Sequence, residues 1–301
     1  MRRKKRRNKI IFFIRRYLLN HRNYYIIMNP KIMDVYFFLK LIISFIIGGS
    51  AIAFIGWMAE NANKKLAGIV ISLPSTVVIS YIFIAWTLSP KVIASAVPAT
   101  IWSAGAVQIF AIIYYYISNI KIKNNWFSMG LSILGALIGW FIWALPFAFL
   151  KISNIYVALG GYILTVLISY YFLTIKNNTE DSFRSLRYSI WQKFGRALFA
   201  GLIIASAVFL AKVVNPFWGG LFSSFPAVFT STFLIFHYYH GHKMIAKVTK
   251  AIPAGSIVYV MFALAATYTY PNFGIILGTF LAYLASLVLF LFLFKRSDKK
   301  S

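Results

Sequence analysis

The sequence of 301 residues contains no cysteine, few charged residues and only five acids. The absence of cysteine excludes a disulfide framework, thiolate metal sites and cysteine catalysis. Charged residues amount to 12% of the chain, whereas a soluble domain carries about a quarter to wet its surface. Apolar residues amount to 60%, so we expect an all-α integral membrane protein with the lipid bilayer as its partner.

Continuous apolar runs give the number of membrane-crossing helices, each of which needs about 20 mostly apolar residues. About nine segments meet this requirement, at residues 35–58, 66–88, 92–118, 126–150, 154–174, 197–214, 217–239, 251–269 and 273–294. They lack the period-two alternation of barrel strands. Aromatic residues cluster at the segment ends, where rings anchor at the lipid headgroups. They include Trp57, Trp86, Tyr114, Tyr115, Tyr116, Trp126, Tyr170, Tyr171, Tyr238, Tyr239, Tyr268 and Tyr270.

A polar stretch at residues 176–196 divides the chain into a first membrane repeat, 34–175, and a second, 197–295, followed by a basic tail, 296–301. Residues 1–33 form a basic arm with ten Lys and Arg up to Arg22 and no acid. Because Arg15, Arg16 and Arg22 interrupt its apolar run, we interpret residues 1–30 as an amphipathic segment on anionic lipid rather than a signal peptide or a span. Nucleic acid is not an expected partner.

A short motif occurs twice. Gly68, Ser72 and Pro74 in the second span correspond to Gly220, Ser224 and Pro226 in the seventh, at an offset of 152 residues. Gly49 and Gly201 in the preceding spans have the same offset, and Pro98 and Pro253 open the third and eighth spans. Five spans separate equivalent helices, and five is odd. The pattern therefore predicts two repeats of five and four spans with inverted topology.

The distribution of basic residues agrees with this inversion. Loops after odd-numbered spans and the C-terminal end hold 16 Lys and Arg, whereas the even-numbered boundaries hold only Lys91, Lys151 and Lys212. The positive-inside rule makes the odd-numbered loops and the C-terminus cytoplasmic in a cell membrane. The basic arm would then lie outside. This conflict disappears if the true start lies near Met28 or Met33, if one segment does not cross fully, or if the arm itself crosses.

The prolines at the two motifs break helical hydrogen bonding inside a span, and such breaks are tolerated where they are buried in protein or line a wet cavity. The short helices after them would point positive ends to mid-membrane, as in inverted-repeat transporters. The alternative is that the kinks and hydroxyls are purely structural. The predicted substrate-binding residues are Gly68, Ser72, Pro74, Ser75, Thr76, Gln108, Gly220, Ser224, Pro226 and Thr230.

Catalysis finds little support. The sequence has no H-E-x-x-H, P-loop or G-x-S-x-G motif, so we predict no catalytic residue and no cofactor, although a transferase using Lys or His stays open. No carboxylate lies well inside a span, which argues against carboxylate-based ion coupling. His237, His240 and His242 end the seventh span. We interpret them as an interfacial polar cap rather than a metal site, since no acid or cysteine stands near them.

The first two spans resemble an uncharacterised family of prokaryotic multi-pass membrane proteins. The resemblance covers about 60 residues and lies in the Gly48-Gly49 pair of the first span and in Gly68 to Thr76 of the second. The second copy departs from it after Pro226. This resemblance implies a fold and no activity. Two inverted copies of about five spans are also similar in architecture to drug/metabolite-type transporters, with the last span missing.

The leading functional hypothesis is a permease for a small neutral or anionic solute, with its site between the breaks at Pro74 and Pro226. A second hypothesis is a non-catalytic membrane scaffold or assembly protein whose basic arm docks on lipid or a partner. A channel is the third. The identity of the solute, the coupling ion and the oligomeric state do not follow from the sequence.

Overall fold

The computed structural model describes residues 35–61, 74–150, 152–177 and 189–297. The chain divides into two units, Met1–Lys40 and Leu41–Ser301, and every contact described below lies within the second. The predicted basic arm and two predicted site residues, Gly68 and Ser72, lie outside the described residues.

All regular structure in the described ranges is helical, as the sequence predicts. The helices are α1 (Val35–Asn61), α2 (Ser75–Thr87), α3 (Ile93–Ser118), α4 (Asn125–Phe149), α5 (Ile155–Tyr170), α6 (Ile190–Val213), α7 (Pro216–Ser223), α8 (Ala227–His240), α9 (His242–Thr249) and α10 (Ile252–Ser297). A 3₁₀ turn, Pro90–Val92, leads into α3, and a π-helical turn, Tyr171–Ile175, extends α5.

Seven helical stretches among the described residues are long and apolar enough to cross a membrane. They are Val35–Met58, Pro90–Ser118, Asn125–Phe149, Ile155–Ile175, Ile190–Val213, Pro216–His240 and Ile252–Leu291. Helix α2 is apolar but shorter, and residues 66–73 of the predicted second span lie outside the described ranges. These stretches are compatible with a multi-pass membrane protein.

The last stretch consists of two helices that meet at Gly274. This residue has φ 76° and ψ −165°, a conformation that glycine adopts readily because it has no Cβ. Pro271 lies just before the break, and a hydrogen bond between the hydroxyls of Tyr270 and Thr279 (2.7 Å) spans it. The predicted spans 251–269 and 273–294 lie on either side of this point.

Side-chain caps explain where three of the helices begin. The side chain of Asn124 accepts from the backbone N–H of Phe127, and that of Asn154 accepts from the N–H groups of Tyr156 and Val157. Ser189 and Gln192 form a reciprocal capping box at the start of α6. Each cap satisfies N–H groups that have no partner inside the helix.

Helix α3 lies at the centre of the fold and packs against α4, α5, α7 and α10. The ring of Trp102 on α3 stacks on Trp143 and Phe147 of α4, with centroids 4.8 and 4.4 Å away. Its Nε1 donates to the carbonyl oxygen of Trp143 (2.9 Å). On the α5 side, a Cβ on Gly161 would stand 2.2 Å from the Trp102 ring, so only glycine fits there without a shift.

The outer surface is apolar, as a bilayer environment requires. Ile276 on α10 is 89% exposed and Ile142 on α4 is 69% exposed. Among the predicted interfacial aromatics, Trp57, Trp126 and Tyr268 are exposed. Two others differ from the expectation, because Tyr114 and Tyr270 are fully buried in helix contacts.

The predicted polar gap after the seventh span contains a helix, α9. Ile245, Ala246 and Thr249 on one face are buried, whereas His242 and Lys243 are exposed. The side chain of Asn177, just past the π-helical turn, donates to the carbonyl oxygen of Ala246 (2.6 Å). An amphipathic helix of this kind is suited to the boundary between lipid and water.

Candidate functional site: a hydroxyl cluster between two proline breaks

The two prolines of the repeated motif have almost the same backbone conformation. Pro74 has φ −77° and ψ 51°, and Pro226 has φ −74° and ψ 46°. Each stands immediately before a helix, α2 or α8, that has no side-chain cap. The carbonyl oxygen of each proline accepts the first helical hydrogen bond, from Val78 (3.0 Å) and from Thr230 (2.8 Å). Both prolines are buried.

The helix before the second proline approaches α3 very closely. A Cβ on Gly220 of α7 would stand 2.1 Å from the carbonyl oxygen of Ala96 and 3.0 Å from Thr100 Oγ1. No side chain fits in this space without a backbone shift. Gly220, a predicted site residue, therefore brings α7 against α3 directly beside a buried threonine.

That threonine is the centre of a buried group of hydroxyls, here called the Thr100 cluster: Tyr81, Thr100, Ser223, Ser224 and Tyr259. Tyr81 donates its hydroxyl to Thr100 Oγ1 (2.7 Å). Thr100 Oγ1 in turn donates to the carbonyl oxygen of Gly220 (3.0 Å) or of Ala96 (3.1 Å).

Residues next to the second proline complete the cluster. Ser223 Oγ donates to the carbonyl oxygen of Gly220 (2.7 Å), and Ser224 Oγ donates to that of Thr100 (3.1 Å). The hydroxyls of Ser224 and Tyr259 are also in hydrogen-bond contact. Because Tyr81 belongs to α2 and Ser224 follows α7, the cluster links the helix after Pro74 to the segment before Pro226. Helices α2 and α7 also pack directly on each other.

The other predicted site residues have different surroundings. Ser75 and Thr76 are half-buried on the first turn of α2. Gln108 is fully buried on α3, where its Oε1 accepts from Ser169 Oγ of α5 (2.8 Å). This hydrogen bond joins α3 to α5, and a role of Gln108 in a solute pathway stays a prediction.

Two predicted site residues carry buried polar atoms with no hydrogen-bond partner among the described residues: Thr230 Oγ1 and Gln108 Nε2. Thr230 is 7% exposed and Gln108 is 0% exposed. A buried donor or acceptor without a partner is costly, by about 1–3 kcal/mol, and calls for an explanation. Binding of a polar solute is one such explanation.

The histidines at the end of α8 separate into one buried and two exposed residues. His237 is buried, although it was expected at the water interface. Its Nδ1 lies 3.3 Å from the hydroxyl of Tyr114, and its Nε2 lies 3.4 Å from that of Ser128. His240 and His242 are exposed. Among the described residues no group of three potential metal ligands is found.

Helices α1 and α6 make a reciprocal contact. A Cβ on Gly49 of α1 would stand 2.5 Å from the carbonyl oxygen of Ala197 on α6, and a Cβ on Gly201 would stand 2.4 Å from that of Phe45. The offset of 152 residues converts one contact into the other. Phe45 of α1 meets Gly201 of α6, and Gly49, four residues later on α1, meets Ala197, four residues earlier on α6. The two helices therefore run antiparallel.

The aromatic contacts of α2 and of α8 are related in the same way. Tyr81 of α2 packs against Phe262 and Tyr270 of α10, with centroids 6.0 and 6.1 Å apart. Phe233 of α8, which lies 152 residues after Tyr81, packs against Phe110 (6.0 Å) and Tyr114 (4.9 Å) of α3. The helix after each proline therefore packs against a long helix of the other predicted repeat.

Four members of the Thr100 cluster are not among the predicted site residues: Tyr81, Thr100, Ser223 and Tyr259. A tyrosine in a membrane protein is usually expected at the boundary between lipid and water, so the sequence did not indicate a buried role for Tyr81 or Tyr259. In addition, the hydrogen bonds of the cluster join residues that are far apart in the chain. One usable signal was present. Thr100 lies two residues after Pro98, one of the prolines that open corresponding spans in the two halves.

Comparisons with protein-family models, with curated proteins and with solved structures give no match for this chain. The site therefore has to be interpreted from its own contacts. Three features are available for this interpretation. They are the matching conformations of the two prolines, the reciprocal helix contacts and the buried hydroxyls between the two prolines.

Proposed function

We propose that the chain is a permease of the cell membrane that moves a small neutral or anionic solute through the Thr100 cluster. The observation that supports this most directly is that Tyr81, Thr100 and Ser224 join the two proline breaks through buried hydrogen bonds. Buried polar groups between interrupted helices are the usual form of a binding site at the middle of a transporter.

Within this proposal the fold has nine spans in two inverted repeats. The antiparallel contact of Gly49 and Gly201 supports the inversion, since equivalent helices of an inverted repeat must run in opposite directions. The matching conformations of Pro74 and Pro226 support a common origin of the two halves. The break at Gly274 supports two spans within α10. This architecture is similar to that of drug/metabolite-type transporters.

The chemistry of the cluster favours an uncharged solute over an anion. Hydroxyl groups both donate and accept hydrogen bonds, so Tyr81, Thr100, Ser224 and Tyr259 can exchange their mutual bonds for bonds to a solute with hydroxyl or amide groups. The unpartnered Thr230 Oγ1 lies on the helix that begins after Pro226 and would add a further contact. Residues of both halves would then hold the solute, as alternating access requires.

The orientation in the membrane follows from the basic residues. The odd-numbered loops and the C-terminus are cytoplasmic in this proposal, because they hold 16 of the Lys and Arg residues. Anionic lipid would contact residues 1–30. Transport would proceed by facilitated diffusion, by exchange, or with an ion held by carbonyl and hydroxyl oxygens.

The test begins with a thermal-shift screen of the purified protein against uncharged polyols, sugars and amides, and against small carboxylates and phosphate. A compound that stabilises the protein is then followed as a radiolabelled solute in proteoliposomes. We expect Pro74→Ala and Pro226→Ala each to lower flux at least several-fold, because a continuous helix would remove the break that positions the hydroxyls. Pro146→Ala in α4, at a proline outside the repeated motif, is the matched control.

Flux at the wild-type level in the double proline variant would contradict the proposal. Flux that does not saturate with solute concentration would indicate a channel instead. A protein that inserts normally, shows no flux with any compound of the panel, and loses its cellular role when residues 1–30 are deleted would indicate a scaffold.

A further inference from the structure

A groove on the lipid-facing side runs between α1 and α6 and has a volume of about 740 Å³. Small residues line it, among them Gly49, Ala53 and Ala197, and Gly49 meets the backbone of Ala197 where the two helices touch. Aromatic residues line it too, among them Phe54 and Phe194. The glycine contact that joins the helices therefore also creates a concave, apolar surface between their larger side chains.

The length of the groove corresponds to one leaflet of a bilayer. It extends along α1 from Phe45 to Trp57, which is about 18 Å at the helical rise of about 1.5 Å per residue. One half of a hydrocarbon core is about 15 Å thick. The volume divided by this length gives a mean cross-section of about 40 Å², roughly half that of a helix of about 10 Å diameter. A hydrocarbon chain fits this space better than a helix.

One end of the groove differs chemically from the rest. Because α1 and α6 run antiparallel, Trp57 near the end of α1 and Trp191 at the start of α6 lie at the same end. Both indoles are exposed, at 50% and 79%. Lys193 lines the groove at this end too. The positive N-terminal end of α6 adds to this charge, since its first turn holds no acidic residue.

Tryptophan and lysine are the side chains that membrane proteins place at the headgroup level. An apolar lining of one-leaflet length that leads to a positive, indole-flanked end matches the structure of an anionic phospholipid. The acyl chain corresponds to the apolar lining, and the phosphate corresponds to the end of the groove at Lys193, whose ammonium has three N–H donors and can therefore serve more than one partner. In the orientation proposed above, this end faces the cytoplasmic leaflet, which is the anionic one in membranes that carry PS and PI lipids.

We propose that the groove between α1 and α6 is a binding site for one anionic phospholipid, with an acyl chain against Gly49, Ala53 and Ala197 and its phosphate at Lys193. This site is separate from the Thr100 cluster. It does not require that the chain be a permease, because a lipid bound across α1 and α6 would stabilise the contact between them in any membrane protein.

The experiment is native mass spectrometry of the full chain, purified in mild detergent and equilibrated with equal amounts of phosphatidylglycerol and phosphatidylcholine. We expect the wild type to retain phosphatidylglycerol preferentially. Lys193→Gln should lower this preference about fivefold, the contribution of one basic side chain at an anionic lipid surface. Ala53→Phe should fill part of the groove and reduce the retention of both lipids.

Lys212→Gln, a loss of the same charge at the other end of α6, and Gly160→Phe, on the exposed face of α5, are the matched controls. Thermal unfolding identifies any variant that fails to fold, and Ser50→Leu is a second, smaller change at the groove for that case.

An unchanged lipid preference in Lys193→Gln would overturn the assignment of the phosphate position. Unchanged retention in a folded Ala53→Phe or Ser50→Leu variant would overturn the groove as the site. A protein dimer that retains no lipid and dissociates in Ala53→Phe would show that a second copy of the chain is the occupant instead.

Discussion

Gly49 lies so close to Ala197 that a Cβ atom on the glycine would stand 2.5 Å from the alanine's carbonyl oxygen. The equivalent pair, Gly201 and Phe45, has the same relationship at 2.4 Å. In a membrane, where lipid tails are as apolar as side chains, close backbone packing through small residues is a main source of helix association. This double contact therefore joins α1 to α6.

Replacing Gly49 by alanine should destabilise the protein by about 1–3 kcal/mol, since the new methyl group meets backbone that cannot move aside. Thermal unfolding in detergent measures the effect. Gly56→Ala, on the same helix with nothing within 4 Å, is the control and should leave the unfolding temperature nearly unchanged. Equal stability of the two variants would refute the contact.

Gly220→Ala should have a larger effect than Gly49→Ala. Its Cβ would stand 2.1 Å from the carbonyl oxygen of Ala96, and the resulting shift would also disturb Thr100. We expect lower stability together with lower solute flux. Gly255→Ala in α10, where nothing lies within 4 Å, should preserve both. A fully active, stable Gly220→Ala variant would exclude the close approach of α7 to α3.

Thr100→Val keeps the shape of the side chain and removes the hydroxyl at the centre of the cluster. Tyr81 then loses its acceptor, and we expect a loss of about 1–3 kcal/mol in unfolding free energy. Thr269→Val is the control, because Thr269 Oγ1 is buried and has no partner among the described residues. The control should be neutral or slightly stabilising, and a similar cost for both changes would count against the cluster.

His237→Ala should destabilise the contact between α8 and the helices α3 and α4. The change leaves the hydroxyls of Tyr114 and Ser128 without their shared partner and opens a cavity beside Tyr114. We expect a lower unfolding temperature, whereas His240→Ala, at an exposed position on the same helix, should have little effect. Zinc ions that stabilise the wild type but neither variant would instead favour the metal site that the sequence left open.

The apolar runs and the repeated motif were enough to predict a helical multi-pass protein and to draw attention to Pro74 and Pro226. Hydropathy is a local property, and a proline's effect on the backbone is also local. For this reason, the predicted spans begin close to Asn124 and Asn154, whose side chains cap the first turns of α4 and α5 in the structure.

What the sequence could not provide is the pairing of residues distant in the chain. Tyr81 of α2 and Tyr259 of α10 reach the cluster because these two helices, which are far apart in the sequence, pack together. The burial of His237 and Tyr114 has the same origin, since each supplies the partner that makes the other's burial tolerable. A polar residue near a helix end is expected to face water until its partner is known.

The stack of Trp102 on Trp143 has a practical consequence. Two indoles 4.8 Å apart and nearly parallel couple their electronic transitions, and the coupling changes steeply with ring separation. The circular dichroism of this pair therefore depends on the spacing of α3 and α4. The contribution of the pair is obtained by subtracting the spectrum of the Trp143→Phe variant from that of the wild type. Any displacement of the central helix against its neighbour would be visible in the unlabelled protein.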